Sequence, residues 1–226
     1  MKNYKFLMLA AILSFCGTTA MQAQTKYYNT RNEIGLTIGG GSNSELLNMY
    51  TDIAELLATA AVTTSMTDGK YTGYYRYGKK NYIPTIGIEY FYHLNKVVGL
   101  GGIATFNGMS RDMYATWVDN KTGDTREDKT GEARRQNISI LPAAKFDWLR
   151  RKNIGLYSKL AAGVTIMHES QQDDAEGGLD YNDTDVMFNF QLSLIGFEAG
   201  SENWRGFAEL GFGEQGIALI GVKYKF

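Results

Sequence analysis

The chain has 226 residues, with 26 glycines, 15 tyrosines and 11 phenylalanines against only 2 prolines, a composition that favours many strands over a helical bundle. A net charge of −1 gives no nucleic-acid footprint. One cysteine (Cys16) and two histidines exclude an intrachain disulfide, a zinc cluster and most His-rich metal sites, so neither metal nor cofactor is expected.

Lys2 and Lys5 precede an uncharged apolar run, Phe6 to Phe15, and small or polar residues follow through Ala20 to Ala23. This is the layout of a secretory signal peptide, and the run is too short to span a membrane as a helix. Cleavage is expected after Ala23, which leaves residues 24–226 as a single exported domain; Ala20 is the second choice. A lipidated Cys16 is disfavoured, because Phe15 stands where lipoprotein signals carry a small residue.

Downstream, eight segments alternate with a period of two. In chain order, their apolar faces begin with Ile34, Leu36 and Ile38, then Tyr82 to Tyr92, then Val98 to Phe106. They continue with Ile138 to Trp148, Ile154 to Ile166, Val186 to Leu194, Trp204 to Phe212 and Ala218 to Phe226. The opposite faces mix charged residues with glycines such as Gly35, Gly87, Gly99, Gly155, Gly211 and Gly221. Glycine gains nothing on a face turned to water. Inside a narrow closed sheet it makes room for long charged neighbours, and the apolar face then meets lipid. The interior network expected on this basis is Glu33, Glu89, Glu198 and Glu209 paired with Lys145, Lys159, Arg205 and Lys223. Pro142 fits poorly in mid-run, and a bulge or local bend is expected there.

The connections give a second signal. Links near 94–96, 149–152 and 200–203 are short, whereas those after the first, third and fifth runs are long; Glu214-Gln215 is a short exception. In the first long loop, Ser42-Asn-Ser-Glu45 reads as a capping box, and Leu46, Leu47, Tyr50, Ile53, Ala54 and Leu57 recur at helical spacing. A helix over about Ser44 to Ala60 is expected, its apolar stripe covered by the end of the strand assembly, or else by the outer leaflet or a partner protein. Tyr71, Tyr74, Tyr75 and Tyr77 then form either a contact patch or extended strand ends. The second loop carries six acidic and six basic residues from Arg111 to Arg135 and reads as a solvated hairpin extension anchored by Met113 and Trp117. The third is acidic, with Glu169, Asp173, Asp174, Glu176, Asp180, Asp183 and Asp185. It lacks the glycine and distal glutamate of an EF-hand loop.

Aromatic residues cluster at both ends of the runs, Tyr90, Tyr92, Phe146, Trp148, Trp204, Tyr224 and Phe226 at one and Tyr82, Phe106, Phe188 and Phe212 at the other. Two such girdles are expected where rings meet lipid headgroups. The chain ends Val222-Lys-Tyr-Lys-Phe226, with Val222, Tyr224 and Phe226 in the pattern of a C-terminal insertion signal. With the leader and the eight runs, the sequence resembles the small OmpA/OmpX-like outer-membrane β-barrel family over residues 27–226. The resemblance implies an all-β, eight-stranded antiparallel up-and-down transmembrane β-barrel in the outer membrane of a Gram-negative envelope. It also implies membrane lipid, lipopolysaccharide and the barrel-insertion machinery as partners, with room for a protein partner at the surface loops. No peptidoglycan-binding domain is expected, since nothing follows Phe226. A structural or surface-binding role is expected rather than a wide pore.

Two other function classes leave traces. His168-Glu-Ser170 is similar to the His-x-Ser pair of lipid A deacylases, but the Asn-Pro-Gly segment of those enzymes is missing, and Asp180 or Asp183 would have to orient the base. The interior charges would suit a narrow ion path. No catalytic residue is expected, and His93 reads as a lone interfacial side chain.

Overall fold

A computed structural model describes residues 30–173 and 180–226. The proposed leader, Cys16, and Asp174 and Glu176 of the acidic loop lie outside the described residues.

Among the described residues, nine antiparallel strands and one helix follow in the order β1 (Asn32–Gly40), α1 (Asn43–Met66), β2 (Tyr71–Tyr77), β3 (Asn81–His93), β4 (Val98–Asp119) and β5 (Thr125–Arg150). Then come β6 (Ile154–Asp173), β7 (Tyr181–Gly200), β8 (Trp204–Gly213) and β9 (Ala218–Lys225). Eight strands form a closed ring in the spatial order β1-β3-β4-β5-β6-β7-β8-β9, and β9 pairs back onto β1, from Glu33↔Lys225 to Gly40↔Ala218. These eight are the alternating runs of the sequence. Closure leaves no unpaired edge among them.

Side chains sort as the alternation requires. Leu36, Ile140, Leu160, Leu210 and Ile220 on the apolar faces are each half-exposed or more on the outside. Glu33, Thr37, Glu89, Ser139, Lys145 and Lys159 are buried inside. Interior glycines are occupied space: a Cβ on Gly196 would lie 2.5 Å from the Tyr157 ring, and one on Gly155 2.7 Å from the Glu198 carboxylate. A register shift between Ser193 and Ile195 puts Leu194 and Ile195 both outside, and this turns Glu198 inward.

Pro142 departs from expectation. It stays in register with Gly102 of β4, and no bulge forms there. Instead the β5–β6 ladder lacks pairs at Leu141 and Pro142 and resumes in the same register at Ala143↔Ala161. The missing N–H is absorbed by that gap, in a sheet held from both sides. The register shift occurs at the other proline, between Ile83 and Ile86.

β4 and β5 run well beyond the ring as a paired tongue, to Val118↔Thr125, which makes the second long loop a hairpin extension. Of the two expected anchors Met113 is buried but Trp117 is exposed, and Arg111 and Thr116 are buried as well. The tyrosine cluster is strand β2, which adds to the tongue through Tyr71↔Asp119 to Tyr77↔Met113. Helix α1 is longer than the expected Ser44–Ala60. Thr63 and Thr67 reach the free edge of β2: each accepts a backbone N–H there, from Gly73 (2.8 Å) and Tyr71 (3.1 Å), and donates to the same residue's carbonyl. Those contacts extend the helix past Ala60 and cover an edge that would otherwise be open.

Candidate functional site

The eight charged residues singled out from the strand pattern meet inside the ring. Lys145 Nζ lies 2.5 Å from Glu33 and 3.6 Å from Glu198, and Lys159 Nζ lies 2.7 Å from Glu89 and 2.9 Å from Glu209. Arg205 donates to Glu198 at 2.7 Å, and Lys223 Nζ lies 3.2 Å from Glu198 and 3.8 Å from Glu89. All eight side chains are buried.

Several members were not read from the sequence. Lys225 contacts Glu198 and lies 3.6 Å from Glu33. Asp147 sits 3.8 Å from Lys145, and Arg150 is near it at 4.0 Å. The alternation already placed Lys225 with Lys223 and Asp147 with Lys145, so the signal was present. Tyr157 donates to Glu209 at 2.7 Å, and its ring lies under Lys145 and Lys223 at 4.1 and 4.4 Å. His93 is not interfacial. It is buried, with its ring nitrogens 3.3 Å from Glu33 and 3.2 Å from Asp147, because β3 carries residue 93 on the inward phase. On the β3–β6 side an apolar cluster of Phe91, Ile103, Leu141, Ala143 and Ala161 fills the interior beside these charges.

A second centre lies at the end bearing the long loops. The short β8–β9 link folds inward, and Glu214 becomes fully buried. Its Oε1 accepts from Asn107 (3.0 Å) and Ser139 (3.1 Å), and its Oε2 from Asn189 (2.7 Å) and the Ser44 hydroxyl (2.7 Å). Gly216 permits this link. Its φ is +113, and a Cβ there would lie 2.5 Å from the Gly40 carbonyl oxygen. In the sequence Glu214 looked like a turn residue, since nothing local marks an inward fold.

Helix α1 begins on that centre. Ser42 is its N-cap and accepts from the Glu45 N–H at 3.2 Å, while Glu45 reaches back to the Gly41 N–H at 2.8 Å. The helix then turns its polar face to the protein. Asp52 pairs with Arg111 and with Lys80 (3.1 Å), Glu55 accepts from Tyr77 (2.5 Å), and Thr51 accepts from Arg135 (3.3 Å). Burial pushes the Asp52 carboxyl up, but Arg111 and Lys80 outweigh it and hold it below its ordinary range. Burial, reinforced by Glu55, pushes the Tyr77 hydroxyl well up. The apolar stripe is therefore not covered: Tyr50, Ile53 and Leu57 are each more than half exposed. The surface under the helix is a polar rim, so polar residues won the inner face.

His168 sits on the outer phase of β6, and its Nδ1 is 3.0 Å from the Thr184 hydroxyl. Glu169 is engaged by Arg135 at 2.6 Å, and Asp183 by Tyr181 at 2.9 Å. Among the described residues no group of three or more His, Cys, Asp or Glu side chains is placed to hold a metal ion. The chain matches no protein-family model and no curated protein sequence.

Proposed function

We propose that this chain is an outer-membrane β-barrel with a structural or surface-binding role: envelope integrity, adhesion, or an accessory place in a larger outer-membrane assembly. The observation that carries the reading is the inverted burial. Carboxylates, lysines and arginines fill the centre of the closed ring, while Ile, Leu, Val, Phe and Tyr side chains stand exposed around it. In water that arrangement would expose the apolar belt and bury the charges at a cost; in lipid each face meets a matching medium. No helix among the described residues is long and apolar enough to cross a membrane, so a crossing would be made by strands. The run Ile138–Trp148 suits a crossing strand of ~9–11 residues. Rings at the short-turn end support a headgroup girdle, with Trp204 and Tyr224 centroids 5.0 Å apart and Tyr224 and Phe226 5.9 Å apart.

The interior supports a cross-link rather than a passage. Acid and base alternate within hydrogen-bonding or ion-pairing distance, and eight strands leave only enough width for side chains. Lipid and lipopolysaccharide are the proposed surroundings. The exposed stripe of α1 and the tongue are the proposed binding surface, since a large apolar stripe held outward by polar anchors suits contact with another molecule.

Fractionation and heat-modifiable migration test this reading. The full chain, expressed in a Gram-negative host, is expected in the outer-membrane fraction after an alkaline wash, migrating faster in detergent gels before boiling than after. Recovery in the soluble fraction, with no heat-dependent shift, would overturn it.

A further inference from the structure

The sheet outruns the closed ring at the long-loop end. There β4, β5, β6 and β7 stay paired with one another and β2 adds to β4, so this extension has a lateral edge on each side. Threonines of α1 cover the β2 edge. The β7 edge is bare. β8 ends at Gly213, opposite Gln191, and the link that follows folds inward at Glu214, so no described strand continues along that side of β7. On its other side β7 remains paired with β6 as far as Gln171↔Tyr181. Phe190 sets the phase: its carbonyl accepts the Glu214 N–H at 2.8 Å, so its backbone groups face the β8 side. The β6–β7 register runs without a shift from Tyr181 to Ser193, so Thr184, Val186 and Phe188 turn theirs the same way. The Thr184 N–H is met by its neighbour Asp183 at 2.8 Å. The N–H groups of Val186 and Phe188 and the carbonyls of all three have no strand beside them among the described residues. Val186 is 66% exposed, against 41% for Ile166 and 50% for Ile138 in the same row, as a missing neighbour requires. Asp183 and Asp185 share the opposite face of this stretch. Glu169, across from Asp183, has Arg135, but neither aspartate is in an ion pair among the described residues.

We propose that the free β7 edge from Thr184 to Phe188 takes an extended segment of a partner protein as an added strand, one in which basic residues alternate with apolar ones. The backbone selects a strand, because another extended chain presents N–H and C=O groups at the spacing of the open edge. Alternation selects the side chains. Partner residues opposite Val186 and Phe188 join the outer face and meet apolar groups, and those between them turn to the face of Asp183 and Asp185, where a cation is wanting. A second copy of β7 suits the edge less well, since it would gather both aspartates of each chain on one face of the joined sheet. The inference concerns the extension beyond the ring and does not depend on the lipid-facing assignment.

The folded full chain in mild detergent provides the test, with a fluorescein-labelled heptapeptide of alternating lysine and valine as the probe. Saturable binding is expected by fluorescence polarisation, together with slower deuterium exchange at the Val186 and Phe188 amides by NMR. Methylating the valine nitrogens of the peptide, which face β7, is expected to abolish both effects; methylating its lysine nitrogens, on the far edge, is expected to preserve them. Val186→Pro removes an N–H that faces the open edge, costs the β6 ladder no hydrogen bond, and is expected to abolish binding. Replacing Asp183 and Asp185 together by asparagine is a milder change and is expected to weaken binding about three- to tenfold. Absence of saturable binding, equal affinity for the valine-methylated peptide, or unchanged exchange at Val186 and Phe188 would overturn the added strand. Unchanged affinity in the asparagine variant would overturn the basic partner. Protection of the same amides by raised protein concentration alone would give the edge to a second copy and overturn the proposal. None of these results bears on where the chain fractionates, so this inference and the barrel reading fail separately.

Discussion

Replacing Lys145 by methionine removes one cation from the ionic interior while keeping most of its volume. Lys145 lies 2.5 Å from Glu33, 3.6 Å from Glu198 and 3.8 Å from Asp147, and all four side chains are buried. Stranding one partner of a buried pair costs about 3–5 kcal/mol. The lower end applies, because Glu33 retains Lys225 at 3.6 Å and Lys223 at 4.0 Å, and Glu198 retains Arg205 at 2.7 Å. Lys145→Met is thus expected to lose about 3 kcal/mol, and Glu33→Gln a comparable amount. Added to Lys145→Met, Glu33→Gln removes the stranded charge, so the double variant is expected to be more stable than the sum of the singles predicts, with a coupling of roughly 1–3 kcal/mol. Guanidinium unfolding of the chain in phospholipid vesicles measures all three, provided the slopes agree. A Lys145→Met variant within about 0.5 kcal/mol of the native chain, the range of ordinary surface substitutions, would refute the claim that these charges are desolvated and mutually dependent.

Leu192 faces outward between Leu160 of β6 and Phe212 of β8, so Leu192→Arg is expected to cost roughly 2–4 kcal/mol in vesicles and to reduce membrane assembly; unchanged heat resistance would reverse the facing assignment. The Asp52 anchor of α1 gives a pH prediction. Its carboxyl is held below its ordinary value of 3.8, so its contribution is complete above that pH and is lost as pH falls through the lower folded value. Amide exchange along α1 is expected to accelerate below about pH 4, and Asp52→Asn is expected to remove that contribution to the pH dependence. Replacing His168 and Ser170 together by alanine is expected to leave lipid A acylation unchanged; an altered acyl pattern on mass spectrometry would promote the enzymatic reading.

The ring strands were legible because each carries its alternation over many residues and because one face collects glycine and charge while the other collects Ile, Leu and aromatic side chains. The charged interior followed from the same phase, and Asp147 and Lys225 were readable from it. The inward place of His93 was readable from it too, but its partners were not, because a histidine at a strand end gives no sign of the Glu33 and Asp147 carboxylates that flank it in space. Glu214 was hidden for a related reason: its role depends on Asn107, Ser139, Asn189 and Ser44, which come from four other elements. The helix stripe was read in the right place and expected to be covered. Which face turns inward was decided by Arg111, Arg135, Lys80 and Tyr77, and helical periodicity carries no information about them. β2 was ambiguous in a stretch of tyrosines until pairing with β4 fixed it.

The central claim is that the outer face of the ring meets lipid. Nitroxide labels on single cysteines at Leu36, Ile140, Ala144, Leu160 and Ile220, in a Cys16→Ser background reconstituted into bilayers, test it directly. Collision with oxygen, which concentrates in lipid, is compared with collision with a water-soluble nickel chelate. High oxygen and low nickel accessibility at all five positions is the predicted result. High nickel accessibility there would place water against that face and contradict the account.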